Sequence, residues 1–341
     1  MIWNLLHAIY DPGSPMPTEP NTLQTIQEDI EYFHIEPQLY HLLKQQNKLE
    51  DIPLAFRNQL KVKYDETMLL NLYIQYENEK IFKAFDDSSI TVIPLKGVHL
   101  ATKYFGHIGA RGTSDIDLLV KAAELAQAEE CIRSLGFTWE EENIRSHFHH
   151  SFSKPIVGST HPLTVELHWG LLMEGTSRFN VEELWREALP MKPYSHVMEL
   201  SDYHTFYMIC LHGWKHGFDS VKYFIDIIQL ITVCRDRIDY DRLFRDSVAH
   251  QTYKRISSTL SIVYRQFPYL ESHKPLILSK RTGHWWNYAA IRGKQKRSLT
   301  RYLRFLQYHF LEYDLPSHSF VASILYLEPI LMQRREVKTN G

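Results

Sequence analysis

Two aspartates separated by one residue begin an apolar run and could together hold a metal ion. The segment reads Arg111-Gly112-Thr113-Ser114-Asp115-Ile116-Asp117-Leu118-Leu119-Val120. Successive side chains of a strand point to opposite faces, so Asp115 and Asp117 share one face while Ile116 takes the other. Two adjacent carboxylates repel each other, and a hard cation such as Mg²⁺ removes that conflict and also binds phosphates. The same spacing also fits two turn or strand-edge aspartates that bind nothing.

A glycine turn upstream has the residues of a phosphate-binding site. Residues 90–95 are rich in β-branched side chains and predict a short strand, Lys96-Gly97 follows, and residues 98–105 predict a helix. A glycine lets a phosphate approach the backbone closely, and a helix N-terminus offers unpaired N–H groups. Further glycines between residues 105 and 115 form a loop that could wrap a triphosphate. Any α/β protein needs such a glycine merely to turn from strand to helix, and this alternative stays open.

A third carboxylate occurs in a second strand pattern. Residues 163–169 read Leu-Thr-Val-Glu-Leu-His-Trp, and this alternation predicts a strand with Glu166 and His168 on one face. A surface glutamate on an edge strand is the competing interpretation.

Together these segments resemble the nucleotidyltransferase superfamily of the polymerase-beta-type fold and, more narrowly, a group of bacterial uncharacterised nucleotidyltransferases. The motifs that carry the resemblance are Leu95-Lys96-Gly97, the string from Arg111 to Leu118, and Val165-Glu166-Leu167-His168-Trp169. The resemblance covers about residues 85–235. The superfamily's usual serine after the glycine is Val98 here, so one hydroxyl for a phosphate is missing, and Lys96 can substitute as a point charge.

The resemblance implies roles for thirteen residues. Asp115, Asp117 and Glu166 would be the catalytic and metal-binding residues, holding two Mg²⁺ (or Mn²⁺) ions, with Glu166 as base toward the acceptor hydroxyl. The implied nucleotide-binding residues are Lys96, Gly97, Arg111, Thr113, Ser114, His168, His212, His216, Lys222 and Asp226. Lys96 and Arg111 are the expected cationic partners of the triphosphate. A structural salt bridge explains Arg111 equally well, and buried contacts between helices explain the residues from 212 to 226.

The implied reaction transfers a nucleoside monophosphate from a nucleoside triphosphate, with ATP as the expected donor, to a hydroxyl or phosphate acceptor and releases pyrophosphate. The acceptor stays open among a small molecule, a peptide, a protein and an RNA, because a fold does not fix an acceptor. A catalytically inactive regulatory protein that binds a nucleotide is one alternative function.

An RNA-binding or RNA-modifying module is the other alternative, and it depends on the basic segment 272–311. This segment contains nine Lys and Arg residues, no acidic residue, and the interleaved aromatic residues Trp285, Trp286, Tyr288 and Tyr302. Such a composition suits stacking on bases and pairing with phosphates. A solvated helix face with its tryptophans in the core is the competing explanation.

Histidine clusters suggest two further metal sites. His212 and His216 have the one-turn spacing of zinc ligands, but a zinc protease needs glutamate at position 213, which is glycine. His147, His149, His150, His161 and His168 could also gather around a metal, although hydrogen-bonded strand and loop histidines are the simpler explanation.

Composition limits the class of protein. The chain has 341 residues, and 44% hydrophobic residues can build a sizeable core. Its three widely spaced cysteines predict a reducing compartment. No apolar run approaches the ~18 residues of a membrane span, and the N-terminus lacks a basic leader, so we expect a cytoplasmic protein with no membrane partner.

Periodicity and the resemblance together predict an α/β (α+β) fold. A small mixed-sheet nucleotidyltransferase core over residues 88–195 is expected between an N-terminal helical region, 1–87, and a C-terminal helical domain, 196–341.

Overall fold

A five-stranded mixed sheet lies at the centre of the computed structural model, which describes residues 1–140, 148–278, 282–293 and 299–325. Its strands are β1 (Val92–Pro94), β2 (Asp115–Val120), β3 (Thr138–Trp139), β4 (His149–Lys154) and β5 (Leu163–His168). Their spatial order is β1-β2-β5-β4-β3, with β2 and β5 parallel and the other neighbours antiparallel. A separate antiparallel ribbon pairs β6 (Leu189–Pro190) with β7 (Met198–Glu199).

Helices precede, cover and follow the sheet. They are α1 (Ile2–Tyr10), α2 (Pro20–Phe33), α3 (Glu36–Gln45), α4 (Leu54–Asp87), α5 (Val98–Phe105), α6 (Leu125–Ser134), α7 (Val181–Arg186), α8 (Asp202–Lys215), α9 (Val221–Val233), α10 (Tyr240–Ala249), α11 (Tyr253–Gln266), α12 (Leu270–His273), α13 (Tyr288–Ile291) and α14 (Leu299–Leu306). Among the described residues, no helix combines the length and the apolarity that crossing a bilayer requires.

One face of the sheet is closed by α4 and α6. The alternate residues Ile116 and Leu118 of β2 and Val165 of β5 are buried in a single cluster with Ile81 of α4 and Ile132 of α6. Since strand side chains alternate, burial of this face turns the polar residues of β2 and β5 to the other. Packing of the back of the sheet therefore fixes where the carboxylates point.

The N-terminal and C-terminal helices share a second hydrophobic core. Trp3 of α1 makes edge contacts with Phe224 of α9, with Phe267 and with Trp286. The same core includes Leu119 on the front face of the sheet. Residues from the two ends of the chain thus form one packed body beside the sheet, and the proposed divisions at residues 88 and 196 remain predictions.

The predicted mixed α/β architecture is confirmed. Helix α5 spans the predicted residues 98–105, and the Glu166 strand has its predicted alternation, with Val165 and Leu167 buried on the back of the sheet. The strand expected from residue 90 begins only at Val92.

Candidate active site

Three carboxylates come together on the front face of the sheet. Asp115 and Asp117 lie on β2, and Asp117 is the register partner of Glu166 on the parallel strand β5. Asp117 is almost fully buried, whereas the side chains of Asp115 and Glu166 are partly exposed. The alternation of two adjacent strands therefore delivers all three acidic side chains to one cleft.

An imidazole bridges two of these carboxylates. The Nε2 atom of His168 lies 3.2 Å from Oδ1 of Asp117 and 3.1 Å from Oε2 of Glu166, and it donates to them. Burial lowers the pKa of His168, but the hydrogen bonds to the two carboxylates outweigh burial and raise it. Burial would raise the pKa of Glu166, but the hydrogen bond from His168 and the charges of His168 and His149 together lower it. Glu166 is therefore ionised at neutral pH.

Lys96 supplies a second positive charge. Its Nζ atom lies 2.9 Å from Oδ1 of Asp117 and 4.0 Å from Oδ2 of Asp115. Burial alone would lower the pKa of Lys96, but the carboxylate of Asp117 raises it. The repulsion between carboxylates that the sequence predicts is thus offset by the cationic groups of Lys96 and His168.

Asp117 nevertheless keeps one oxygen without a partner. Lys96 and His168 both contact Oδ1, while Oδ2 is buried and has no hydrogen-bond partner among the described residues. Burial would raise the pKa of Asp117, but the Lys96 charge and the His168 hydrogen bond hold it well below its usual range. A buried carboxylate oxygen without a donor is what a hard metal ion would bind, so the residues present fit Mg²⁺ or Mn²⁺.

Nitrogen ligands lie beside the carboxylates. His149 on β4 is the register partner of His168, and the ligating atoms of His149, Glu166 and His168 all lie within 4.8 Å of one another. The sequence analysis named His149 and His168 as possible ligands of one metal site but did not join Glu166 to them, because the pairing of β4 with β5 depends on tertiary structure. Of the other histidines in that cluster, His150 pairs with Glu129, and His147 lies outside the described residues.

The glycine turn packs directly on the loop that precedes β2. Gly97 has φ +71°, and a Cβ atom there would lie 3.3 Å from Oγ1 of Thr113 and 3.4 Å from the carbonyl oxygen of Asp115. The Thr113 hydroxyl donates to that carbonyl at 3.2 Å. Ser114 is exposed. Glycine is therefore required by both the backbone conformation and the close approach of the loop.

Helix α8 forms the opposite wall of the cleft. His212, Lys215 and His216 line the same cavity as the three carboxylates. Burial lowers the pKa of His212 well below its ordinary value and that of His216 to about 4, and nearby lysines add to both effects. His216 stacks on Tyr223 of α9 with ring centroids 5.3 Å apart. Two neutral imidazoles thus line the cleft that contains the carboxylate cluster.

Two residues that were expected to bind the nucleotide form an ion pair with each other. Arg111 donates from Nε and from a terminal nitrogen to the two oxygens of Asp226, at 2.8 and 2.9 Å, and both residues are buried. The two residues thus form the buried salt bridge that was the alternative explanation for Arg111, and their contact with a nucleotide remains a prediction. Asn71 of α4 donates to the carbonyl of Arg111, which ties this loop to a second helix.

Lys222 lies near this pair, on α9. Burial and the charge of Arg111 lower the pKa of Lys222 to about 8. Lys222 does not line the carboxylate cleft, so its expected contact with the nucleotide remains a prediction.

The two tryptophans of the basic segment are core residues, whereas Tyr302 is exposed. Trp285 and Trp286 are buried, and the indole nitrogen of Trp286 donates to the carbonyl of Phe218. Arg292 pairs with Asp29 of α2. Five of the nine cations lie outside the described residues: Lys280, Arg281, Lys294, Lys296 and Arg297. The described tryptophans are therefore not available for stacking on bases.

Comparisons with known proteins give a family and no curated relative. A family model described as uncharacterised nucleotidyltransferase matches residues 26–267. No curated protein matches the chain. A crystal structure of ANT(2″)-Ia with adenylyl-2″-tobramycin is 16% identical, covers 51% of this chain and 94% of its own, and has a TM-score of 0.33. A solution structure of the antibiotic-resistance factor ANT(2″)-Ia is 16% identical, covers 50% and 90%, and has a TM-score of 0.32.

Proposed function

Because the chain belongs to this nucleotidyltransferase family, we propose that it transfers a nucleoside monophosphate from ATP to an acceptor and releases pyrophosphate, in a metal-dependent reaction. The observation that carries the proposal is the cluster of Asp115, Asp117 and Glu166 on one face of β2 and β5. The unpartnered oxygen of Asp117 supports a metal ion as the missing member of this cluster.

Asp115, Asp117 and Glu166 would hold the metal ions, Mg²⁺ or Mn²⁺. When bound, these ions supply positive charge that stabilises the reacting phosphate and the leaving pyrophosphate. Glu166 takes the proton of the acceptor hydroxyl, which its ionised state at neutral pH allows. His168 orients the carboxylates of Asp117 and Glu166 through its two short contacts.

Lys96 and the turn at Gly97 bind the triphosphate in this proposal. The Lys96 ammonium group already faces the cleft, and it can move from Asp117 to a phosphate oxygen once a metal ion neutralises the carboxylates. Gly97 places the first N–H groups of α5 where a phosphate can approach. His212 and His216, both held neutral by burial, line the part of the cleft that receives the nucleoside.

The proposed transfer is a single displacement, in which one bond to phosphorus forms and another breaks. The acceptor oxygen forms a bond to the α-phosphorus, and the bond from that phosphorus to the oxygen bridging to the β-phosphate breaks. Pyrophosphate leaves with the electron pair, and the acceptor proton moves to Glu166. The protein's contribution is therefore positioning and charge neutralisation.

A direct test is mass spectrometry of candidate acceptors, including the protein itself, after incubation with each of the four triphosphates and Mg²⁺. We expect a mass gain of one nucleoside monophosphate with ATP, together with pyrophosphate release, and loss of both in Asp115→Asn. Asp87→Asn is the matched control, because Asp87 is an exposed carboxylate of α4 paired only with Lys83 in the described structure. Retained transfer in Asp115→Asn would contradict the metal-binding role of that carboxylate.

A further inference from the structure

A second cavity opens beside the carboxylate cleft. It has a volume of about 380 Å³ and shares two wall residues, Phe148 and Leu171, with the cleft that contains Asp117 and Glu166. This volume lies within the range of small-molecule binding pockets. A molecule in the second cavity would therefore lie next to the candidate catalytic residues.

The wall of this cavity is preformed by the segment that follows β5. Leu171 and Leu172 in that segment pack against the core shared by the terminal helices. The Thr176 hydroxyl donates to the carbonyl of Met173 at 2.7 Å, and the guanidinium of Arg255 donates to the carbonyl of Thr176. The backbone N–H of Arg178 donates to the carbonyl of His250 at 2.8 Å. Hydrogen bonds to other helices thus hold the segment in place before any ligand binds.

The chemistry of the wall selects among acceptors. Aromatic and aliphatic residues such as Trp169, Met173 and Phe179 are the majority of its lining residues, but polar atoms form more than half of its exposed wall surface. The only charged residue lining it within the described chain is Glu174. The Ser177 hydroxyl accepts from the N–H of Phe179. A phosphorylated sugar or an RNA end would bring negative charge into a wall with no described cation, which is unfavourable. A body with no charge or a positive charge, able to contact both polar and apolar atoms, matches this wall.

We infer that this cavity binds the acceptor, and that the acceptor is a neutral or cationic hydroxyl compound. The inference rests on the proposed nucleotidyl transfer. The acceptor hydroxyl would reach past Phe148 and Leu171 to the cleft, where its oxygen bonds to the α-phosphorus, its proton moves to Glu166 and pyrophosphate leaves.

Three phenols of the same size class test the charge preference. Tyramine is cationic, N-acetyltyramine is neutral, and 4-hydroxyphenylacetate is anionic, while all three carry the same ring and hydroxyl. Binding is measured by calorimetry on the full chain with Mg²⁺ and α,β-methylene ATP, so no turnover is needed. We expect the cationic and neutral phenols to bind at least about tenfold more tightly than the anion.

Two variants locate that preference in the cavity. Met173→Lys should reverse the ratio of tyramine to 4-hydroxyphenylacetate affinity by about tenfold or more, because it adds a cation to the wall. Glu174→Gln should weaken tyramine alone and leave N-acetyltyramine unchanged. Val157→Lys is the matched control, since Val157 is fully exposed and does not line the cavity.

Different results would contradict the acceptor cavity and the proposed nucleotidyl transfer. If the ATP analogue binds but Met173→Lys and Glu174→Gln leave all three phenol affinities unchanged, the acceptor cavity is wrong and the nucleotidyltransferase proposal stands. Tighter binding of 4-hydroxyphenylacetate than of tyramine by the unmodified protein would also overturn the inference. If neither the analogue nor ATP binds with Mg²⁺, the proposed function itself fails.

Discussion

Two charge clusters, both involving β2 or the loop before it, differ in whether every carboxylate oxygen has a partner. Arg111 and Asp226 form a completed pair, in which one guanidinium satisfies both oxygens of one carboxylate. Six residues later, Asp117 belongs to a cluster of three carboxylates that share the cations of Lys96 and His168 and leave one buried oxygen unpartnered among the described residues.

This difference distinguishes residues that stabilise the fold from residues that could bind a ligand. A buried ion pair fixes the positions of its two elements and satisfies both oxygens of its carboxylate, whereas a buried polar atom without a partner costs free energy until a ligand completes it. This contrast predicts a structural role for Arg111 and a ligand-binding role for Asp117.

The largest expected effect is on turnover at the incomplete cluster. Asp117→Asn should lower nucleotidyl transfer by about a thousandfold or more, because an amide cannot supply the negative charge that a metal ion requires. The variant should also unfold at lower urea concentration without metal, since Lys96 and His168 lose their shared anion. Pyrophosphate release and urea unfolding measure the two effects. Near-normal transfer would contradict the metal-binding role of Asp117.

The completed pair should show its effect in stability. Arg111→Met leaves the Asp226 charge buried and alone, so we expect the free energy of unfolding to fall by about 3–5 kcal/mol. The double variant Arg111→Met with Asp226→Leu should recover most of that loss. Urea unfolding of the single and double variants provides the comparison. An unchanged free energy of unfolding combined with a raised KM for ATP would return Arg111 to the nucleotide site.

Substitution of Lys96 should have a smaller effect, on the affinity for Mn²⁺ and on the KM for ATP. Lys96→Met removes the cation that competes with a metal ion for Asp117, so Mn²⁺ alone should bind about tenfold more tightly. The KM for ATP should rise by about the same factor, because the triphosphate loses a cation. Calorimetry with Mn²⁺ and steady-state kinetics test the two directions, and weaker Mn²⁺ binding would contradict the competition.

The smallest effect concerns a partnered carboxylate nearer the surface. The hydrogen bond from His99 and the charge of Lys103 lower the pKa of Glu199 to about 2, although partial burial opposes this shift. Its contribution to stability is thus present above pH 4.5 and is lost as the pH falls from 4.5 toward 2. Glu199→Gln should reduce the loss of unfolding free energy over this pH range by about 1 kcal/mol. Urea midpoints across this pH range measure it, and an equally steep decline in the variant would be evidence against the ion pair.

Local patterns predicted much of the site. The alternation around Asp115 and Asp117 and around Glu166 and His168 fixed which face each side chain takes, because the period of a strand is a local property. The Lys96-Gly97 turn and the start of α5 followed from glycine and from helix periodicity in the same way.

Features that depend on distant partners were not predictable from such patterns. The partner of Arg111 lies 115 residues along the chain, and the placement of His149 beside His168 depends on the antiparallel pairing of β4 with β5. The tryptophans of the basic segment look like a binding surface in sequence, and only the packing of Trp286 on Trp3 reveals them as core residues.

That packing also bears on how the protein is made. The ring partners of Trp3 and the carbonyl of Gln266, which contacts His7 across 259 residues, leave the ribosome long after α1 has emerged. The face of α1 that carries Trp3 therefore lacks these partners during most of synthesis, a period in which exposed apolar surface promotes aggregation. Chaperone dependence of expression should accordingly fall when Trp3 is replaced by a smaller side chain, at the expense of the finished fold.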